Sequence, residues 1–199
     1  FALDADRDAL QRFAGGLFWV TVLLATLLAV QRTFAVELAD GGERPAIKPK
    51  EPELVELVSH EFSSEYGPGS IVVDTAKRKL FYILSPQLAY SYPIAVGKEG
   101  FSWTGTETVS KVVEWPEWMP PEEMRERKPT LPIRMTGGLQ NPLGARAIYL
   151  GKTLYRIHGT NAPDTIGQAV SSGCFRLVND DVVDLYERVP VGAKVIVRH

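Results

Sequence analysis

The chain has 199 residues, enough for one medium-sized domain and an additional segment. Its apolar and charged fractions of 45% and 23% are typical of a globular protein, and its formal net charge of -2 gives no reason to expect nucleic acid as a partner. The single cysteine excludes an intrachain disulfide and a zinc site of several thiolates, and three histidines are few for a His-only cage, so we expect neither metal nor cofactor.

The first predicted element is an apolar N-terminal helix. Residues 13–31 carry no charge and have the length of a signal-peptide apolar region or of a short membrane span. The small residues around Ala35 fit cleavage after it, whereas the preceding charges are not net positive, which leaves an uncleaved anchor open. We assign residues 1–38 to a signal peptide or membrane anchor. Either alternative puts the rest of the chain outside the cytoplasm, and we expect a periplasmic location.

A segment rich in glycine and proline follows. Residues 39–52 read ADGGERPAIKPKEP, with alternating charges and little to bury. This composition predicts a linker over residues 39–60 and a folded domain over residues 61–199.

The pattern of the folded domain predicts a mainly β structure. Ser70–Asp74 and Leu80–Leu84 are typical of a hairpin. Further short strands are predicted at Ala89–Val96, Glu107–Glu114, Ala147–Leu150, Leu154–His158 and Lys194–Val197. One helix is predicted near the end, capped by Asn179, with Val182, Leu185, Tyr186 and Val189 on its apolar face. We therefore expect a mixed, curled sheet with few short helices.

The connection from Trp115 to Arg146 is long for a compact β domain. It contains six prolines and the sequence WPEWMPP, and Glu122–Arg127 suits a short helix after two prolines. Connections of this length are usually functional lids or binding loops. The alternative is that its tryptophans cover an open edge of the core.

The residues with the most distinctive chemistry lie between His158 and Arg176. Cys174 follows Ser171-Ser172-Gly173, which permits a tight turn with several backbone N–H groups aimed at one point. Strand alternation places His158 with Arg156 on one face, and Cys174 with Arg176 on one face. A base beside a thiol is the requirement for a cysteine nucleophile. A lone cysteine is more often a small buried residue, however, and spacing alone does not decide.

The same residues resemble the L,D-transpeptidase catalytic domain, the YkuD-type family. Its signature is a His-Gly followed after about fifteen residues by Ser/Thr-His-Gly-Cys and an arginine or asparagine; here it reads His158-Gly159 and Ser171-Ser172-Gly173-Cys174-Phe175-Arg176. The likeness extends to the blocks Tyr92–Gly97, Trp115–Trp118, Asn141–Arg146 and Asp184–Tyr186, in family order.

The resemblance implies the fold of that domain and an acyl transfer on peptidoglycan. Cys174, activated by His158, would attack the carbonyl of the third residue of a stem tetrapeptide, D-alanine would leave, and an amine of another stem, a lipoprotein or an anchored outer-membrane protein would accept the acyl group. The Gly159 carbonyl would orient His158, and the N–H groups of Ser172, Gly173 and Cys174 would bind the oxyanion. We expect carbapenems to acylate Cys174.

For the substrate, the resemblance implies that Arg176 pairs with a carboxylate, and we expect Arg156, Asn161 and Trp118 to contribute to binding. Ser172 departs from the family pattern, which often has histidine there. Two alternatives stay open: an L,D-carboxypeptidase or amidase using the same acyl-enzyme, and a wall-binding module without turnover.

Overall fold

The computed structural model describes residues 19–28, 38–57 and 66–199. The described residues divide into two compact units: 19–28, 38–39 and 120–134 belong to the first, and 40–57, 66–119 and 135–199 belong to the second. In the first unit, residues 19–28 form helix α1 and Glu122–Arg127 form α2. The observed bounds of α2 are those predicted. Strands β1 (Leu38–Ala39) and β8 (Arg134–Met135) form a two-stranded sheet.

Helix α1 confirms the predicted apolar N-terminal helix over ten residues of the uncharged segment. Its large side chains are mostly exposed, including Trp19 at 65% and Leu23 at 66%. Within the described ranges, no helix is both long and apolar enough to cross a membrane. The rest of the predicted signal or anchor segment, residues 1–18 and 29–37, lies outside the described residues.

The second unit is built on a nine-stranded sheet, and the predicted mixed β fold is confirmed. The strands of this unit are β2 (Glu53–Glu56), β3 (Ile71–Asp74), β4 (Lys79–Ser85), β5 (Leu88–Pro93), β6 (Val96–Gly97), β7 (Gly105–Glu114), β9 (Arg146–Leu150), β10 (Arg156–His158), β11 (Ala169–Ser171), β12 (Phe175–Arg176) and β13 (Lys194–Arg198). The order in the large sheet is β12-β10-β9-β7-β13-β3-β4-β5-β2. Two pairs in it are parallel, β10 with β12 and β13 with β3, and the others are antiparallel. Strands β6 and β11 form a separate parallel pair.

The core lies on both faces of this sheet. Strand β3 is buried on each side because its apolar residues are continuous: Ile71 and Val73 belong to one cluster, and Val72 belongs to the other. Helix α3 (Asn179–Arg188) packs Val182 and Leu185 into the first cluster. Tyr186, predicted on the buried face, is only partly buried, and the Arg146 guanidinium lies over its ring.

The predicted cap of α3 is wrong. The N-cap is Val178, without a side-chain hydrogen bond, and Asn179 is the first helical residue. The Asn179 Oδ1 atom instead accepts the backbone N–H groups of Ala145 at 3.0 Å and Thr160 at 3.2 Å. The side chain thereby satisfies one backbone donor just before β9 and another just after β10.

The segment predicted as a linker is bound to the domain in two places. Glu53–Glu56 pairs antiparallel with β5 as the edge strand of the large sheet. Further upstream, the Gly41 N–H donates to Thr136 Oγ1 at 2.9 Å, and Arg44 Nε donates to the Gly137 carbonyl at 2.7 Å. An edge strand is held by its ladder rather than by burial, so apolar patterning did not reveal it. Residues 58–60 of the predicted linker lie outside the described residues.

Candidate active site

The site is positioned by the parallel pair β10 and β12. Ile157 lies opposite Phe175, and His158 lies opposite Arg176, so the same register sets Arg156 beside Cys174. Ile157, Phe175 and Leu177 are buried in the core. Because side chains alternate across a strand, this register puts Arg156, His158, Cys174 and Arg176 on the opposite face.

His158 and Cys174 are diagonal neighbours on this face. Cys174 lies two positions before Arg176, the residue opposite His158 in the register of β10 and β12. The predicted strand Leu154–His158 is shorter in the structure, and Leu154 lies outside it with 75% exposure. Its carbonyl oxygen still contacts the site, because Cys174 Sγ lies 3.8 Å from it.

His158 is buried and held in one orientation. Its Nδ1 atom lies 2.6 Å from the Gly159 carbonyl oxygen, which can only accept a hydrogen bond. Nδ1 therefore carries the proton, and the lone pair of Nε2 is free to receive one. Burial, with smaller contributions from Arg176 and Arg156, lowers the pKa of His158 to about 3. The imidazole is consequently neutral at neutral pH.

Cys174 is a thiol in the resting site. Burial raises the pKa of Cys174, and the charge and hydrogen bonds of Arg156, together with the charge of Arg176, oppose this shift. Thiol and neutral imidazole are thus the ground state, rather than thiolate and imidazolium. The thiolate has to form as the proton moves to the base.

The turn before Cys174 is fixed by Ser171, whose side chain is buried. Ser171 Oγ donates to the Cys174 carbonyl at 2.6 Å and accepts the Gly173 N–H at 3.1 Å. Gly173 has φ 101, and a Cβ there would lie 2.6 Å from a ring carbon of Tyr155. Only glycine fits this position without movement.

Comparison with known proteins decides which family this site belongs to. The family model described as the YkuD L,D-transpeptidase catalytic domain matches residues 68–197, more than half of the chain. The chain belongs to this family. A second model, described as CcmB protein, matches residues 1–57 only.

Curated relatives of the transpeptidase domain carry the same description. The chain is 42% identical to "Probable L,D-transpeptidase ErfK/SrfK" of Escherichia coli (strain K12) over 63% of this chain and 42% of that protein. It is 38% identical to "Probable L,D-transpeptidase YbiS" of the same organism over 63% of this chain and 43% of that protein. The chain thus spans about two fifths of the length of these relatives.

Solved structures agree on the fold. L,D-transpeptidase 3 from Mycobacterium tuberculosis, in complex with a faropenem-derived adduct, superposes with a TM-score of 0.52 at 16% identity, covering 65% of this chain and 60% of that chain. An L,D-transpeptidase from Enterococcus faecium gives a TM-score of 0.52 at 17% identity, covering 65% and 49%.

The oxyanion site predicted for this transpeptidase domain needs one correction. The Gly173 N–H is already donated to Ser171 Oγ, so it is not free for a substrate oxygen. Within residues 19–28, 38–57 and 66–199, no hydrogen bond uses the N–H of Ser172 or Cys174. These two donors remain for the oxyanion. The Ser172 side chain, in the place of the family histidine, is exposed.

Two predicted substrate residues are not joined to the thiol by the contacts that the structure gives. Asn161 is exposed, and its Nδ2 donates to the Gln140 carbonyl at 2.8 Å. The backbone of Trp118 pairs with that of Met135 through two hydrogen bonds of 2.9 and 2.8 Å. The role of both in substrate binding stays a prediction.

Trp103 is a site residue that the sequence did not reveal. Its indole Nε1–H donates to the Gly173 carbonyl at 3.1 Å, and its ring stacks on Tyr155 with centroids 4.6 Å apart. A half-buried tryptophan needs an acceptor for its N–H, but the sequence does not say which carbonyl supplies it. Trp103 thereby braces the turn that presents Cys174.

The part of the chain that the structure describes contains no candidate metal site. No group of three His, Cys, Asp or Glu side chains there is placed to hold a metal ion.

Proposed function

We propose that this domain is a cysteine L,D-transpeptidase that forms an acyl-enzyme on a peptidoglycan stem tetrapeptide. The observation that carries the proposal is a neutral His158, with its Nδ1–H anchored on the Gly159 carbonyl, in the strand that pairs with the Cys174 segment. This arrangement supplies a nucleophile and a base with a free lone pair on one face of the sheet.

Acylation begins when the Cys174 thiol gives its proton to His158 Nε2 and the sulfur attacks the carbonyl carbon of the third stem residue. The resulting oxyanion accepts the N–H groups of Ser172 and Cys174. As the intermediate collapses, the C–N bond to D-alanine breaks, and the His158 imidazolium returns its proton to the departing amine. Burial and two nearby arginines disfavour the imidazolium, so the proton is readily released.

In the second half-reaction, an acceptor amine attacks the thioester carbonyl and gives a proton to His158. The C–S bond breaks as the acyl group passes to the amine, and His158 returns the proton to the sulfur, which regenerates the thiol. The acceptor is a second stem or an amine of a lipoprotein or anchored protein. Water in its place would give hydrolysis by the same acyl-enzyme.

Incubation with diaminopimelate tetrapeptide muropeptides tests the proposal. We expect D-alanine release and cross-linked dimers, analysed by mass spectrometry, with Cys174→Ala as the inactive control. Tripeptides alone would show a carboxypeptidase, and no D-alanine release with acylatable Cys174 would refute this substrate assignment.

We further propose that the protein acts in the periplasm. The exposed apolar side chains of α1 suit a segment handled by the export machinery or held by lipid, and not a packed core. Cell fractionation of the tagged protein tests this: recovery with the cytosol would contradict it. We also propose inhibition by carbapenems, and the faropenem-derived adduct of the structurally similar mycobacterial L,D-transpeptidase 3 gives a precedent with another β-lactam, a penem.

A further inference from the structure

The peptide unit between Gly159 and Thr160 is hydrogen-bonded on both sides. Its carbonyl oxygen accepts the His158 Nδ1–H at 2.6 Å, and its N–H group donates to Asn179 Oδ1 at 3.2 Å. Because a peptide unit is planar, an acceptor that fixes its N–H also fixes the direction of its carbonyl. The orientation of the His158 ring therefore depends on a side chain at the start of α3.

The two peptide units that flank the Gly159 Cα atom are held differently. The first belongs to the sheet, where the His158 carbonyl accepts the Leu177 N–H at 2.9 Å and the Gly159 N–H donates to the Arg146 carbonyl at 3.0 Å. The second lies beyond the sheet, because β10 ends at His158. The Asn179 side chain thus gives the second unit what the strand ladder gives the first, a fixed acceptor for a buried N–H.

The Asn179 oxygen occupies a space that two glycines leave open. A Cβ on Gly144 or on Gly159 would lie 2.3 Å from Oδ1, and Gly144 has φ 64, which side chains rarely adopt. The same oxygen accepts the Ala145 N–H at 3.0 Å. Gly144, Ala145 and Gly159 are buried. The two loops therefore pack around one amide oxygen, and its removal takes an acceptor from two backbone donors.

We propose that Asn179 is a positioning residue for the base: through the Gly159–Thr160 peptide unit it holds His158 with Nδ1 protonated and the lone pair of Nε2 available. This inference rests on the proposed function, in which Nε2 takes the proton of the Cys174 thiol. The anchored N–H also polarises the peptide unit, which makes its carbonyl a better acceptor for Nδ1–H. Without the Asn179 oxygen, the peptide unit can rotate and the imidazole can leave the orientation that proton transfer requires.

The first experiment measures the rate of Cys174 acylation by a carbapenem, followed by intact mass. We expect Asn179→Ala to lower this rate about 10-fold, less than the 10²- to 10⁴-fold typical of removing a base. Asn179→Asp keeps an oxygen acceptor, and a carboxylate suits the first turn of α3, so we expect a rate within about 3-fold of the parent.

The matched control is a variant that destabilises the domain away from the site. Val72→Ala removes buried methyl groups from the core cluster that Val72 forms with Phe81 and Ile83. It should lower the melting temperature and leave the acylation rate at the parent value. A fall in rate as large in Val72→Ala as in Asn179→Ala would overturn the proposal.

The second experiment asks whether Asn179 acts through the base. If it does, Asn179→Ala should cause no further loss of the acylation rate in a His158→Ala background, because the interaction that it supports is already absent. An equal loss in both backgrounds would show a structural effect independent of His158 and would overturn the proposal. Acylation of folded Asn179→Ala at the parent rate would do the same.

The third experiment needs no reaction. Long-range proton–nitrogen correlation spectra show which imidazole nitrogen carries the proton, and His158→Ala identifies the His158 signals among those of the three histidines. We expect one tautomer, protonated at Nδ1, in the parent and in Asn179→Asp, and a mixture of tautomers in Asn179→Ala. A parent-like spectrum of Asn179→Ala would overturn the proposal.

Two outcomes need separate treatment. If Asn179→Ala does not fold, Asn179→Ser takes its place, because serine suits a helix start and its hydroxyl lies one bond closer to the backbone than the amide oxygen. A parent protein that a carbapenem does not acylate would refute the proposed function, and the spectra would still decide whether Asn179 orients His158.

Discussion

The ionisation of His158 is the residue-level feature with the clearest consequence for pH dependence. The pKa of His158 is lowered to about 3, first by burial. A base that is neutral down to such a pH does not lose its lone pair in mildly acidic solution. We predict that the rate of Cys174 acylation by a carbapenem, followed by intact mass, falls little between pH 7 and pH 5.

A fall in the acylation rate centred near pH 6.5, the ordinary pKa of histidine, would contradict this prediction. The melting temperature of the protein has to be measured at each pH as a control, because the folded state itself loses stability in acid. The unfolded chain binds a proton on His158 near pH 6.5 and the folded chain only near pH 3, so this group lowers stability as the pH falls through that interval.

Substitution of Trp103 tests whether its hydrogen bond to the turn before Cys174 is needed for acylation. Trp103→Phe keeps a ring to stack on Tyr155 and removes the N–H donated to the Gly173 carbonyl. We predict an acylation rate about 2- to 10-fold lower, the value of one hydrogen bond, with the pH profile unchanged. Acylation at the parent rate by a variant of equal melting temperature would show that Trp103 only fills space.

At the scale of elements, Asn179 joins the start of α3 to two loops. Its Oδ1 accepts the N–H groups of Ala145 and Thr160, and Thr160 follows the glycine that orients His158. A Cβ on Gly159 would lie 2.3 Å from the same Oδ1 atom, so the contact is tight. The Asn179 side chain therefore links the start of α3 to the loop after β10, and this loop contains the glycine that orients His158.

We predict that Asn179→Ala lowers the free energy of unfolding by about 2 to 4 kcal/mol, because two backbone donors lose their acceptor. Urea denaturation measures this. The matched control is Asn161→Ala, whose exposed amide makes one hydrogen bond, and it should change stability by less than about 1 kcal/mol. Equal effects in the two variants would contradict the account of Asn179.

The elements also show where sequence reasoning works. The hairpin of β3 and β4 and the helix Glu122–Arg127 were predictable because apolar alternation, turn residues and proline act locally. The edge strand β2 was not, because its ELVE sequence buries little and depends on a distant partner, β5. Asn179 was misassigned for the same reason, since its acceptor is used by residues far along the chain.

At the scale of the molecule, the sheet joins segments that are remote in sequence. The last strand, β13, lies between β3 and β7, and β12 adds the cysteine segment beside β10. Alternation predicted which residues share a face, but only the register of β10 with β12 places Arg156 beside Cys174. The short parallel pair of β6 and β11, which ends at Ser171, carries no sequence pattern of its own.

The central claim is that Cys174 is a nucleophile activated by His158. Intact-mass spectrometry after exposure to a carbapenem tests it most directly, with Cys174→Ala and His158→Ala beside the parent. The account predicts one covalent adduct on the parent, none on Cys174→Ala, and an acylation rate about 10²- to 10⁴-fold lower for His158→Ala. An unmodified parent whose thiol still reacts with iodoacetamide, or an adduct that persists in Cys174→Ala, would contradict it.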